Sequence, residues 1–196
     1  MSAARSTLSR ARVALGVLAG GQALRLGGLD KALARFRGQA LVERTLDGLG
    51  NGFAQVLLSY NGADAGALPP SAQVIADLRP GFPGPLAGIE ALLTATSTEW
   101  LLTVPVDLAE LPQQLVQRLL ESRGAEYGIS VLDGDGGQPL VALWPVVSSR
   151  AAVGAALDAG DRAVHRVQHG LGFRTCDLAP VRLGNLNTPA DFESTP

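Results

Sequence analysis

The sequence contains one cysteine, Cys176, in 196 residues. A single thiol cannot form an internal disulfide, and a chain without a disulfide framework is typical of a reducing compartment. Cys176 lies in a segment of alternating polarity, so we expect a core residue rather than a nucleophile. These observations favour a cytoplasmic protein.

Charge is also scarce. Charged residues make up 17 % of the chain, below the usual quarter, and the net charge is −2. A nucleic-acid polymer needs a basic surface, so this class of partner is excluded. No apolar stretch approaches the roughly 18 residues of a membrane span. We expect no membrane partner, and a flexible tail over residues 1–11.

Lysine is nearly absent, since Lys31 stands alone beside fifteen arginines. It belongs to residues 13–33, which read VALGVLAGGQALRLGGLDKAL. The short apolar run predicts a buried strand, and the glycines after it predict a loop whose N–H groups approach a ligand. Arg25 and Lys31 add two cations, of which the compact ammonium is not interchangeable with a guanidinium. The segment therefore predicts a phosphate-binding loop. It is neither a Walker A loop nor the dinucleotide fingerprint, because Gly-Lys-Ser/Thr and G-x-G-x-x-G are both missing.

Strand and helix patterns alternate along the first half of the chain. Apolar runs predict strands, and 3.6-residue periodicity predicts helices between them. The strands are expected at 13–19, 56–59, 74–76 and 100–104, and the helices at 41–49, 86–96 and 112–120. This order predicts one domain over residues 1–196, a three-layer α/β/α, doubly wound and mostly parallel sheet.

The second half adds a small hairpin insertion, because residues 127–132 and 140–144 flank the turn sequence DGDGGQP. Helices at 149–159 and 162–169 and a strand at 173–177 follow. Asp133 and Asp135 fit a turn rather than a calcium site, since no EF-hand loop is completed. His165 and His169 have zinc-ligand spacing but no evident third ligand.

Five polar or glycine positions closely follow predicted strands, namely Gly20, Gly21, Asn61, Asp77 and Asp107. Ligands of such sheets lie outside the carboxyl ends of the strands, so one edge should carry all five. The hard oxygen ligand of Asp107 suits Mg²⁺ that also binds triphosphate oxygens.

The motif L-A-G-G-x-x-x-R-x-G-G-x-D-K-x-L, residues 18–33, resembles the signature loop of the molybdenum cofactor guanylyltransferases, in the nucleotidyltransferase superfamily. Three later segments follow in family order: I-x-D before P-G-P-L-A-G, an apolar strand before an aspartate, and N-x-N-T-P. Two departures are Val106 in place of the cysteine of C-D-x-P, and Ala163 in place of the second arginine of G-E-R-R-V.

The resemblance implies GMP transfer from GTP to the terminal phosphate of molybdopterin, with Mg²⁺ as cofactor and pyrophosphate as product. It assigns catalysis to Lys31, Asp107 and Arg25, and the metal to Asp107. The nucleotide would be bound by the N-terminal half, through Leu18, Ala19, Gly20, Gly21, Lys31, Asn61, Asp77 and Asp107. The acceptor would be bound mainly by the C-terminal half, through Pro85, Leu86, Gly88, Arg162, Arg166, Asn185 and Asn187. Arg166 would replace the charge missing at Ala163.

Three alternatives remain open. The sister cytidylyltransferases resemble L-A-A-G at the first motif, and sugar-phosphate nucleotidyltransferases carry G-x-G-T-R-L. A nucleotide-binding partner protein without turnover is the non-enzymatic alternative. We expect a monomer, with transient contacts to other molybdenum-cofactor enzymes.

Overall fold

The computed structural model describes residues 8–20, 30–81, 84–123 and 127–193. In chain order the strands are β1 (Val13–Leu18), β2 (Arg35–Phe36), β3 (Gln39–Ala40), β4 (Gln55–Ser59), β5 (Gln73–Ile75), β6 (Trp100–Pro105), β7 (Ile129–Asp133), β8 (Gly136–Pro145) and β9 (Arg174–Asp177). The helices are α1 (Leu41–Leu49), α2 (Pro85–Ala95), α3 (Leu115–Ser122), α4 (Val146–Asp158), α5 (Val164–Gly170) and α6 (Pro189–Glu193).

Within these ranges, seven strands form one sheet in the order β5-β4-β1-β6-β8-β7-β9. Pairing is parallel throughout β5-β4-β1-β6 and between β7 and β9, whereas β8 is antiparallel to β6 and β7. The predicted mostly parallel α/β sheet is confirmed. The predicted hairpin is present as β7 and β8, but its description as a small insertion is corrected, because both are strands of the main sheet. Their pairing with distant strands leaves no local sequence signal.

The sheet is buried on both faces because its central strands are continuous apolar runs. Every residue of β1 and of β6 is buried. One face packs against α1 and α3, and the other against α2, α4 and α5. On the second face the Trp144 indole donates to Thr103 Oγ1 at 2.8 Å, which satisfies two buried polar groups. The three-layer arrangement predicted from the sequence is therefore present.

Several predicted boundaries shift. Helix α1 has the predicted limits, whereas α3 begins three residues late because residues 113 and 114 form a turn after Pro112. Helix α4 begins three residues early, and α5 begins at Val164 rather than at Arg162. The expected tail is corrected for residues 8–11, since Leu8 is buried in the core and Arg10 Nη1 donates to the Leu49 carbonyl at 2.7 Å.

Among the helices that the structure describes, none combines the length and apolar character needed to cross a bilayer.

Candidate active site

The carboxyl ends of four parallel strands are level with one another. Leu18, the last residue of β1, pairs with Ser59 at the end of β4 and with Pro105 at the end of β6. Ser59 in turn pairs with Ile75, the last residue of β5. The residues that follow these strands therefore share one edge, as the sequence predicts, and they are Ala19, Gly20, Asn61, Asp77 and Asp107.

Lys31 lies at this edge, where its ammonium group contacts Asp107. Its Nζ lies 2.6 Å from Asp107 Oδ2, with about a fifth to a quarter of each side chain exposed. The same ammonium donates to Asn187 Oδ1 at 2.9 Å. The sequence assigned Asn187 to the acceptor side, and the structure places its amide on the cation of the nucleotide motif. Three segments that are distant in sequence thus meet at one ammonium group.

A short turn presents Lys31. The carbonyl of Asp30 accepts from the backbone N–H groups of Leu33 and Ala34, and its Oδ1 accepts from Ala32 N–H at 2.9 Å. The Tyr60 hydroxyl donates to Asp30 Oδ2. Burial, together with this bond to a carboxylate, raises the pKa of Tyr60 to about 12. Tyr60 therefore stays a protonated donor and helps to fix the turn, a role that only its place beside Asn61 hinted at in the sequence.

A cleft of about 460 Å³ opens beyond β4 and β5, and its walls include Tyr60, Asn61, Asp77 and Arg79. Asn61 Oδ1 accepts from the Asp77 backbone N–H at 2.8 Å, which joins the ends of β4 and β5. A Cβ added to Gly20 would lie 3.3 Å from Asn61 Nδ2. Gly20 therefore lets the backbone after β1 approach the amide that helps to form the cleft.

Asp77 has an unusual environment. Burial raises its pKa, against the hydrogen bond from Asn61 and with a further contribution from the nearby Glu90 charge. Its Oδ1 is buried and finds no hydrogen-bond partner among the described residues. A buried acceptor of this kind is costly, and it belongs to a residue of the cleft wall.

Arg79 fixes the far wall of the cleft and was not singled out from the sequence. Its guanidinium makes two 2.7 Å bonds to the carboxylate of Glu90 in α2 and one 2.7 Å bond to Asp158 in α4. A bidentate pair of this type holds both direction and distance. The sequence feature that could have indicated Arg79 is its charge, two residues after Asp77.

The loop after β6 carries Asp107 and is bonded to the C-terminal segment. The Leu186 N–H donates to the Asp107 carbonyl at 2.8 Å, and Leu108 forms an antiparallel bridge with Asn185. Asp133 supports the same segment from the end of β7, because its Oδ2 accepts from the Leu183 N–H at 2.9 Å. Asp133 is thus a structural carboxylate, consistent with the predicted turn.

The predicted acceptor residues Pro85, Leu86 and Gly88 lie in the first turn of α2. Pro85 is the first residue of the helix and is exposed, as the proline pattern predicts. Leu86 is fully buried, and a Cβ on Gly88 would lie 2.6 Å from Ser59 Oγ. Leu86 and Gly88 therefore pack α2 against the sheet, and a contact of these residues with the acceptor, through backbone N–H groups at the start of the helix, stays a prediction.

Arg162 and Arg166 are both exposed, beside the end of α4 that Arg79 holds. Arg162 precedes α5, so the expected helical spacing of the pair is corrected. Arg166 makes two bonds to Asp161, at 2.8 Å and 2.5 Å, and these lower the pKa of that carboxyl to about 2. Asn185 has its side chain exposed next to the Asp107 loop.

Two predicted residues, Gly21 and Arg25, lie outside the described residues. Of the other candidates, His165 and His169 are exposed and Cys176 is buried. Over the described ranges no group of three or more histidine, cysteine or acidic side chains could hold a metal ion by itself.

Asp107 fits a divalent cation of the kind expected. Mg²⁺ in nucleotide enzymes is held by one or two carboxylates, with phosphate oxygens and water completing its coordination. Asp107 supplies one partly exposed carboxylate, held next to Lys31 at the strand ends. The donor set therefore suits a metal that arrives with a triphosphate rather than one bound in a protein cage.

Comparison with known proteins gives a consistent result. The family model described as MobA-like NTP transferase domain matches residues 15–172. A molybdenum cofactor guanylyltransferase of Shewanella putrefaciens is 38 % identical over 76 % of each chain. Another from Shewanella sp. strain W3-18-1 is 35 % identical over 88 % of this chain and 90 % of its own.

Solved structures share the fold. Molybdopterin-guanine dinucleotide biosynthesis protein A of Archaeoglobus fulgidus superposes with a TM-score of 0.68 at 22 % identity, over 92 % of this chain and 95 % of that one. The 2-C-methyl-D-erythritol 4-phosphate cytidylyltransferase of Thermus thermophilus superposes with a TM-score of 0.67 at 20 % identity, over 91 % and 94 %. A sheet whose strand ends gather Lys31, Asp107 and the Asn61–Asp77 cleft is accordingly that of a nucleotidyltransferase, and the chain belongs to the MobA-like NTP transferase family.

Proposed function

We propose that this protein transfers GMP from GTP to the terminal phosphate of molybdopterin, forming the guanine dinucleotide cofactor and releasing pyrophosphate in an Mg²⁺-dependent reaction. The observation that carries the proposal is the Lys31–Asp107 pair, which joins the first motif to the end of β6 across 76 residues of sequence. The names of the relatives at 38 % and 35 % identity support the choice of substrates.

The chemistry asks little covalent work of the protein. An oxygen of the acceptor phosphate attacks the α-phosphorus of GTP, and pyrophosphate leaves with the bond electrons. The protein then contributes position and charge. Lys31 neutralises charge on the phosphates, and Arg25 is assigned the same role by its motif. Asp107 would hold Mg²⁺, which when bound supplies further charge neutralisation to the triphosphate.

The guanine ring is assigned to the cleft beyond β4 and β5. A guanine edge carries N–H donors, and Asp77 is a carboxylate of the cleft wall that could accept from them. Asn61 adds an amide group that Gly20 leaves accessible to the nucleotide. The acceptor is assigned to Asn185, Asn187, Arg162 and Arg166 by their motifs, and of these Asn187 contacts Lys31.

The test measures pyrophosphate release with each of the four nucleoside triphosphates, with and without molybdopterin, in the presence and absence of Mg²⁺. We expect turnover that needs GTP, molybdopterin and Mg²⁺ together. Preference for CTP would assign the protein to the cytidylyltransferase reaction instead. No turnover with any nucleotide, in a folded protein that binds GTP, would favour the non-enzymatic alternative.

Asp107→Asn is the matching variant, because it keeps the shape of the side chain and removes its charge. We expect a melting temperature near that of wild type and a fall in Mg²⁺-dependent transfer of about 10²-fold or more. Asp135→Asn, an exposed acid after β7, is the control. Transfer by Asp107→Asn within a few-fold of wild type would refute the metal assignment.

A further inference from the structure

The backbone of the Asp107 loop is held from two sides. Its carbonyl groups would otherwise lack partners where the strand ends, and buried carbonyls need hydrogen bonds. The C-terminal segment supplies Leu186 N–H to the Asp107 carbonyl at 2.8 Å. Helix α1 supplies the rest: Thr45 Oγ1 donates to the Val106 carbonyl at 3.3 Å, and Arg44 donates to the two residues after Asp107.

Arg44 is the stronger of the two α1 contacts. Its Nη1 donates to the Leu108 carbonyl at 2.7 Å, and its Nη2 donates to the Ala109 carbonyl. The guanidinium is planar with donors in a fixed fork, so two successive carbonyls are held in one geometry. The group is half-buried, and burial lowers its pKa, against the attraction of Glu110 and with the repulsion of Arg37.

The same helix also supports the other half of the ion pair. The N–H groups of Leu41 and Val42, at the start of α1, donate to the carbonyls of Ala34 and Ala32 in the Lys31 turn. Arg44 itself lies over the ring of Phe36 in β2, 5.3 Å from its centroid. One helix therefore contacts the Lys31 turn at its first residues and the Asp107 loop through Arg44.

We propose that Arg44 is a positioning residue for the proposed transferase, which sets Asp107 opposite Lys31 by fixing the Leu108 and Ala109 carbonyls from α1. Without its fork, both carbonyls lose their donors and the loop moves to satisfy them elsewhere. The Asp107 carboxylate then moves out of hydrogen-bond distance of the Lys31 ammonium. The inference rests on the proposed function for its consequence in catalysis, but the positioning itself can be measured without turnover.

The single lysine makes that measurement direct. Reductive ¹³C-methylation labels Lys31 and the N-terminal amine, and the dimethylated ammonium keeps its charge. The NMR signal that disappears in Lys31→Arg is that of Lys31. Its shift in Asp107→Asn defines the unpaired position. We expect the signal in Arg44→Met to move most of the way to this position, and the milder Arg44→Gln, which keeps an amide donor, to lie between.

Arg150→Met is the matched control. Arg150 also donates through two nitrogens to a carbonyl, that of Leu93, at 2.9 Å and 2.6 Å, but it joins α4 to α2. We expect this variant to lower the melting temperature and to leave the Lys31 signal in place. In turnover, the Mg²⁺ concentration for half-maximal rate should rise about 10- to 100-fold in Arg44→Met and stay unchanged in Arg150→Met.

The proposal is overturned if the Lys31 signal in Arg44→Gln and Arg44→Met matches that of wild type. It is equally overturned if Arg150→Met moves the signal as far, since the effect would then be general loss of stability. A wild-type signal already at the Asp107→Asn position would remove the ion pair and the proposal with it. Absence of GMP transfer by wild type would instead refute the proposed function and leave the positioning result intact.

Discussion

Lys31 shows why one basic side chain is not equivalent to another at this site. Its ammonium reaches Asp107 at 2.6 Å and Asn187 at 2.9 Å, two acceptors from different directions. A point charge with three rotatable donors can serve both acceptors and a phosphate in turn, whereas a planar fork has fixed directions. The uniqueness of this lysine among sixteen basic residues was visible in the sequence, and its two partners were not.

We therefore expect Lys31→Arg to lose almost as much activity as Lys31→Ala, about 10²-fold or more in kcat/KM for pyrophosphate release. Both variants should melt near the wild-type temperature, because the side chain lies at the edge of the sheet. Arg118→Lys, an exchange of basic groups in α3, serves as the control. Full turnover by Lys31→Arg would mean that charge alone matters at this position.

Gly20→Ala converts the L-A-G-G motif into the L-A-A-G of the sister group. The added methyl would lie 3.3 Å from Asn61 Nδ2, so the amide must shift by a few tenths of an ångström. We expect discrimination between GTP and CTP, measured as the ratio of their kcat/KM values, to change against GTP by about 1–3 kcal/mol. An equal loss for both nucleotides would show that Gly20 serves the loop and not the choice of base.

At the scale of strands and helices, the structure shows which site residues could be placed from the sequence and which could not. Glycines, Asn61, Asp77 and Asp107 were predicted at one edge because apolar runs of known length ended just before them, and the strand registers agree. Arg44 and Asp133 were not predicted as supports. One lies on an amphipathic helix without any motif, and the other in a sequence typical of a turn. Their roles depend on partners 50 or more residues away, which no local pattern reveals.

Asp133 gives an element-level prediction, because it ties the β7–β8 hairpin to the segment of Leu183. Burial alone raises the pKa of Asp133, but the bonds from the N–H groups of Leu183 and Asp135 and from the Gln138 amide outweigh it, so the pKa is lowered. A carboxyl whose pKa is lowered in the folded state stabilises the fold at pH values above its ordinary pKa of about 3.9. This stabilisation is lost as the pH falls from that value through the lowered pKa.

We expect Asp133→Asn to lose about 1–3 kcal/mol of unfolding free energy at pH 7 and to depend less on pH below about 4 than wild type. Urea unfolding at several pH values measures both. Asp135→Asn, whose carboxylate lies on the surface 3.2 Å from Arg182, should keep the wild-type pH slope. An Asp133→Asn variant with the wild-type slope would mean that other carboxylates account for the acid sensitivity.

At the scale of the whole molecule, the division into a nucleotide half and an acceptor half needs a qualification. The C-terminal segment contacts the nucleotide motif directly, since Asn187 binds Lys31 and Leu186 binds the Asp107 loop. Arg166, by contrast, is paired with Asp161, which also belongs to the C-terminal half. The motif order along the chain predicted both as acceptor residues, but it contained no information on which of them also meets Lys31.

We expect Asn187→Ala to weaken both ligands several-fold, because the ammonium loses a partner on the acceptor side, whereas Arg166→Ala weakens molybdopterin alone. Separate titrations of each variant with GTP-Mg²⁺ and with molybdopterin measure the two affinities. Arg182→Ala, an exposed arginine paired with Asp135, is the control for loss of surface charge. Unchanged molybdopterin binding in Arg166→Ala would place the acceptor elsewhere.

The contact of Lys31 with both Asp107 and Asn187 also has a consequence for the folding of the chain. Its partners lie 76 and 156 residues further along, so two very long loops must close before the ammonium has both neighbours. Closure of such loops costs entropy before any contact repays it, and non-local contacts of this kind form slowly. A nascent chain that has not yet reached Asn187 cannot form this contact. We therefore expect the completed contact of Lys31 to form late in folding, and a chain that has stopped short of its native state should lack it even where β1 and β6 are already paired.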